Sequence, residues 1–208
     1  MDVFFTNILM IVHNSSLCNF VLQELVIAAS YHGNSLQAYR LIDGALTATV
    51  SIPEPTYLTT DNDSSTIYCS SFAAGQGRVL AFQWRMGSFV STGVVAAAGA
   101  TDSRRPIAYI PPAFGKSQSY LVVGSQRSPT LLVLAIPSMK LVHTYKLEGV
   151  SITGLGCDAA PPDLAFKLDG NGARPTDAML EQKLVVLDHT TNVVLLVRWP
   201  LPGMPVID

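Results

Sequence analysis

Charge is scarce in this 208-residue chain. Asp, Glu, Lys and Arg together make up 13% of it, against roughly 25% in an ordinary globular protein. The net charge is −2, so the basic footprint of a nucleic-acid binder is missing. Cysteine is sparse as well. Cys18, Cys69 and Cys157 are odd in number and lack CxxC spacing, which speaks against a disulfide or zinc framework and for a reducing, cytoplasmic setting. No apolar stretch approaches the roughly 18 residues of a membrane-spanning helix. The opening run MDVFFTNILMIV carries Asp2 and no Lys or Arg, unlike a secretory signal, and reads as a strand or a short buried helix.

Enzymatic signatures are lacking too. There is no Gly-x-Ser-x-Gly, His-Glu-x-x-His or phosphate loop. Asp61-Asn62-Asp63 opens like a calcium loop, but Thr66 and Phe72 stand where that loop needs Gly and Glu. Cys157 beside Asp158 reads as buried filler. No catalytic residue, metal ligand or cofactor is therefore assigned.

What the chain has is apolar residues, 49% of the total, with 15 Gly and 13 Pro. Such a composition suits sheets and turns. The stretch TIYCSSFAAGQGRVLAFQWRMGSFVSTGVV, residues 66–95, reads as three strands separated by Gly-containing turns, where Gly supplies a positive φ at no steric cost. The same unit recurs. LVIAAS-YHG-NSLQAYRL, YLVVGSQ-RSP-TLLVLAI and KLVVLDH-TT-NVVLLVRW each give an apolar strand, a short polar turn and a second apolar strand. Copies lie about 40 to 65 residues apart, the spacing of four-stranded propeller blades with a loop insertion at 169–182 in the last one. The expected fold is one all-β domain, 1–208, a β-propeller-like array of four antiparallel blades at about 25–52, 57–95, 106–147 and 151–199. A β-sandwich is the alternative, but it gives no reason for the hairpin to recur. The run Phe4 to Val12 is expected to pair with Asn192–Trp199 and close the array. Without that pairing the array would be partial, with open edges.

The run Gly33-Asn34-Ser35-Leu36-Gln37-Ala38-Tyr39, followed by Asp43-Gly44, resembles the NHL repeat, and residues 66–87 are similar in strand order. The resemblance covers two blades of four. Blades three and four keep the strand order and lose the Asn-Gln and Asp-Gly pattern, and the Gly-His and Trp-Asp pairs of WD40 repeats are missing.

In such a blade the second-to-third turn and the link to the next blade emerge at one end, so their side chains share a face. That face is expected to gather Tyr31, His32, Arg104, Arg105, Arg127 and His189 as a protein-binding surface, since function on repeat scaffolds sits on loops. Trp84, Tyr39 and Trp199 are expected to pack between blades. The functional expectation is a non-enzymatic scaffold or protein-interaction module. The alternative is a small lactonase-like propeller hydrolase with a metal in the central channel.

Overall fold

The computed structural model describes residues 10–12, 25–61, 64–97, 106–112, 116–125, 128–158 and 182–204. These residues hold strands and turns and no helix. Their fifteen strands form four antiparallel sheets, three of four strands and one of three. Each sheet is a meander in chain order, the blade of a β-propeller. The contacts divide the chain into two compact units, 1–107 and 108–208.

In the first unit, β1 (Met10–Val12), β2 (Leu25–Ser30), β3 (Ser35–Arg40) and β4 (Leu46–Ser51) form one sheet. A second sheet holds β5 (Pro55–Asp61), β6 (Thr66–Ala73), β7 (Gln76–Arg85) and β8 (Ser88–Ala97). The hairpins of this second sheet follow from their turn residues. Ala73 pairs with Gln76 and Arg85 with Ser88, leaving the two-residue loops Ala74-Gly75 and Met86-Gly87. All four of these residues have positive φ, at 51°, 75°, 49° and 79°. That is the type I′ turn whose twist matches the flanking strands, with Gly at its second position. The Asp43-Gly44 loop is longer than a two-residue turn. It runs over Leu41–Gly44, with the Asp43 carboxylate accepting from Ala45 N at 3.0 Å and Gly44 at φ 67°.

The core of this unit lies between its two sheets. Leu25, Ile27, Ala29, Leu36 and Ala38 of the first sheet cluster with Leu58, Ile67, Cys69, Phe82 and Trp84 of the second. Alternation along each strand puts these side chains on one face. Phe89 closes on the Trp84 ring edge-to-face at 5.1 Å. Tyr39, by contrast, is half-buried, lies outside the cluster and bonds Gln37 Oε1 at 2.6 Å through its hydroxyl. Of the three aromatic residues expected between blades, Trp84 and Trp199 are in cores and Tyr39 is not.

The second unit repeats the plan. One sheet is β9 (Ile107–Ile110), β10 (Ser119–Val123), β11 (Thr130–Ile136) and β12 (Lys140–Lys146). The other is β13 (Ile152–Asp158), β14 (Lys183–Asp188) and β15 (Val193–Arg198). Its core joins Ile110, Tyr120, Val122, Leu131 and Val133 to Ile152, Leu184, Val186, Trp199 and Leu201. Tyr120 and Trp199 stand 5.5 Å apart, centroid to centroid. Residues 159–181 lie outside the described residues, among them the expected strand LAFKL and nearly all of the 169–182 insertion. Gln182, the last residue of that insertion, is buried, and its Nε2 donates to Pro111 O at 2.9 Å.

Only the end of the run expected to close the array, Met10–Val12, is among the described residues. Met10–Val12 pairs with β2, setting Met10 opposite Ile27 and Val12 opposite Leu25. That pairing closes a short loop. Reaching the last blade would close a loop roughly fifteen-fold longer, at about 2 kcal/mol more in chain entropy. Residues 1–9 are outside the described residues.

Leu36 is fully buried in the first core. Leu36→Ala is expected to cost about 2–5 kcal/mol, the transfer term plus the cavity left behind. The shift in denaturant midpoint, at unchanged slope, measures it.

Candidate functional site

At one end of each unit a hairpin turn is tied to the segment that links the two blades. In the first unit the β2–β3 turn is Tyr31-His32-Gly33-Asn34. Gly33 N bonds Ser30 Oγ at 3.1 Å, and Asn34 takes φ 47°, a left-handed conformation that Asn tolerates. The link Ile52–Glu54 then docks on this turn. Ile52 N donates to Asn34 O at 2.8 Å, Glu54 N to Asn34 Oδ1 at 2.9 Å, and the Tyr31 hydroxyl to Glu54 Oε2 at 3.1 Å. On its other side the link meets the second blade, where Phe72 N donates to Glu54 O at 3.3 Å and Ser71 Oγ to Pro53 O.

The second unit uses the same construction. Its link Leu147–Ser151 bonds backwards through Leu147 N to Pro129 O at 2.7 Å and forwards through His189 N to Ser151 O at 2.9 Å. Asp188, buried at the start of the β14–β15 turn, accepts from Ser151 N at 2.8 Å, Thr190 N at 3.0 Å and the Thr191 hydroxyl. The Thr191 hydroxyl first, and then the Ser151 amide, hold the Asp188 carboxyl below its ordinary value of 3.8, against the opposing effect of burial.

The expected site residues divide accordingly. Tyr31 and His32 share one turn, with their rings edge-to-face at 5.2 Å, and His32 is exposed. His189 is exposed on the β14–β15 turn of the other unit, the turn ahead of the link rather than the one behind it. Arg104, Arg105 and Arg127 lie outside the described residues. The residues that hold the turns, Glu54 and Asp188, were not among those the sequence singled out. The signal for Asp188 is legible in hindsight, because Asp with Thr two and three residues on caps a turn with its own side chain. Glu54 sits between two prolines with φ 40° and gives no such signal.

Among the described residues, no three His, Cys, Asp or Glu side chains converge to hold a metal. Cys69 is fully buried, and burial pushes its thiol well above the usual range. Burial, with the Asp61 charge adding, pushes the neighbouring Tyr68 up to about 12. Both side chains stay protonated at neutral pH, and neither is poised as a nucleophile. No helix among the described residues is long and apolar enough to cross a membrane, a statement that does not bear on β-barrels.

No family model matches the chain. No curated protein matches it either. Among solved structures it is similar to the hydrazine synthase of Kuenenia stuttgartiensis, at TM-score 0.49 and 10% identity over 84% of this chain and 46% of that one. It is also similar to the Dos1 propeller, at TM-score 0.51 and 13% identity over 84% and 44%. The computationally designed Ika4 protein gives TM-score 0.47 and 15% identity over 86% and 87%. The chain spans less than half the length of the first two. At these identities likeness bears on the fold alone, and the Dos1 propeller, with the all-β blades described above, makes this a propeller-like fold.

Asp188→Asn tests the turn clamp. A carboxyl held below its unfolded value contributes stability above pH 3.8, and that contribution is lost as the pH falls through the lowered value. The variant is expected to melt lower than the parent at neutral pH. The gap should close as both are titrated below 3.8, and thermal melts across that range read it.

Proposed function

We propose that this chain is a non-enzymatic β-propeller scaffold, of the NHL-repeat type, that binds a protein partner through the turn end of its blades. One observation carries the reading: a turn-to-link clamp is built in both units, and it leaves His32 exposed on the turn behind the first link and His189 on the turn ahead of the second. The polar groups of the clamp are consumed in fixing backbone, so the turns form a pre-set surface that loses little entropy on binding. Tyr31, His32 and His189 are the contact residues proposed from the described structure, with Arg104, Arg105 and Arg127 as further ones from the sequence. The partner is a protein, since the net charge of −2 gives nucleic acid no attraction. The thiols of Cys69 and Cys157 support a reducing, cytoplasmic setting. The NHL assignment is supported by Gly33-Asn34 at the turn that the link docks on and by Asp43-Gly44 at the next one. All of 1–208 is proposed to fold as one domain, for which calorimetry should give a single transition.

A photo-crosslinking residue at position 32 is expected to capture one defined protein in cells, and Tyr31→Ala in the same chain should abolish that capture. The same residue at position 42, on the β3–β4 turn, serves as the control and should not capture it. Equal capture from both positions would refute the turn surface. Stoichiometric calcium or zinc in the purified protein would instead replace this reading with the lactonase-like hydrolase.

A further inference from the structure

Among the described residues the last strand of each sheet is an edge, and three of these four edges are protected. The pairing of β4 with β3 is broken by a bulge at Ala38/Tyr39, that of β8 with β7 by two irregularities, and that of β12 with β11 by one at Val133/Leu134. Those strands also interleave polar residues: LTATVS in β4, SFVSTGVVAA in β8 and KLVHTYK in β12. Bulges, lysines and polar interruptions are the ordinary means of keeping an edge from pairing with another chain. β15 has none of them. It reads VVLLVR, it pairs with β14 in unbroken register, and its one polar residue is the last.

The side of β15 away from β14 can be read residue by residue. Trp199 N donates to Gln182 O at 3.0 Å, one step beyond the Lys183–Arg198 pair. Amides alternate sides along an antiparallel strand, so those of Val197, Leu195 and Val193 face β14, and those of Val194, Leu196 and Arg198 face outward. The outer side chains add to this. Leu195 and Val197 pack into the core, while Val194, Leu196 and the neighbouring Leu187 are 56%, 61% and 44% exposed on the opposite face. A strand apolar on both faces is built to be covered on both.

We infer that β15 is a docking edge for a second copy of this chain, forming a two-fold dimer through antiparallel β15–β15 pairing. The sequence is close to self-complementary about Leu195. In a register centred there Val194 opposes Leu196 and Val193 opposes Val197, which places both outward-facing amide pairs in hydrogen-bonding positions. Arg198 then stands opposite Asn192, so no like charges meet. A two-fold isologous contact uses one edge from each copy and closes, leaving no β15 edge to propagate. This edge is on the flank of the last blade and not among the turns proposed to bind a partner, so either reading can fail alone.

Sedimentation of the full chain over a dilution series tests it. The mass is expected to be that of two chains at high concentration and to fall to one on dilution. Leu196→Lys puts a charge on the exposed face at the centre of the pairing, and Leu196→Pro removes an outward donor that makes no bond to β14. Each should sediment as a single chain, and Leu196→Lys should keep the parent's melting curve and circular dichroism. A parent that is a single chain at every concentration overturns the dimer. If its Val194 and Leu196 amides resist hydrogen exchange, the chain's own residues cover the edge. Association beyond two copies, or a Leu196→Lys variant that still sediments as two, overturns it as well.

Discussion

The turns at the blade ends of each unit depend on satisfying the backbone of the segment that leads from one blade to the next. A chain leaving an outer strand must return to the first strand of the next sheet, and on the way its amides and carbonyls lose their ladder partners. Buried or half-buried groups of this kind cannot be left unpaired without a cost of about 1–3 kcal/mol each. The solution used twice is to lay the link between two hairpin turns: Ile52 N meets Asn34 O and Glu54 O receives Phe72 N, and likewise Leu147 N meets Pro129 O and Ser151 O receives His189 N. Turn, link and turn then become one hydrogen-bonded row. The geometry of the exposed residues on that row is set by the blades beneath it.

This arrangement accounts for which polar side chains are free to act and which are not. Asn34, Glu54 and Asp188 carry the groups that would draw attention in a search for chemistry, yet Asn34 and Asp188 are spent on backbone and Glu54 on the Tyr31 hydroxyl. His32 and His189 are among the residues that face solvent on these turns. Rigid turns that present a few side chains serve recognition better than they serve proton transfer, because recognition gains from pre-organisation and needs no convergent acid and base.

The blades were legible in the sequence because their signal is local: runs such as TIYCSSF and GRVLAFQW with a Gly turn between them leave little choice but a hairpin. Turn details were less so. Ala74-Gly75 and Met86-Gly87 form the tight turns their glycines imply, whereas Asp43-Gly44 ends a longer loop in which the Asp43 carboxylate caps Ala45 N. Long-range choices were the hardest to read. The run ending at Val12 has the composition of a strand, but nothing in its residues says which edge it joins, and chain entropy favours the nearer β2. Tyr39 ends its strand as Trp84 does, and only the strand register decides that one faces outward and the other inward. The role of Glu54 was illegible because it rests on a contact with Tyr31 that sequence distance hides.

The scarcity of charge has the same structural origin. In an open antiparallel sheet one face meets water, and alternate residues can be charged. Here the strands inside each sheet have little water on either side: all five residues of β10 and the first six of β6 are buried. Such strands admit hydroxyls, which can bond to the backbone or to one another, as Thr56 and Ser70 do at 2.8 Å, and they exclude ions. Charge in the described strands sits mostly at their ends, as with Arg40, Asp61, Arg85 and Asp188, next to the turns. A chain made mostly of inner strands is therefore poor in Lys and Glu, rich in Ser and Thr, and dependent on its outer strands for protection against association. β4, β8 and β12 supply that protection. The apolar composition that suits the interior continues unchanged into β15, so the same rule that builds the core leaves one edge fit for pairing.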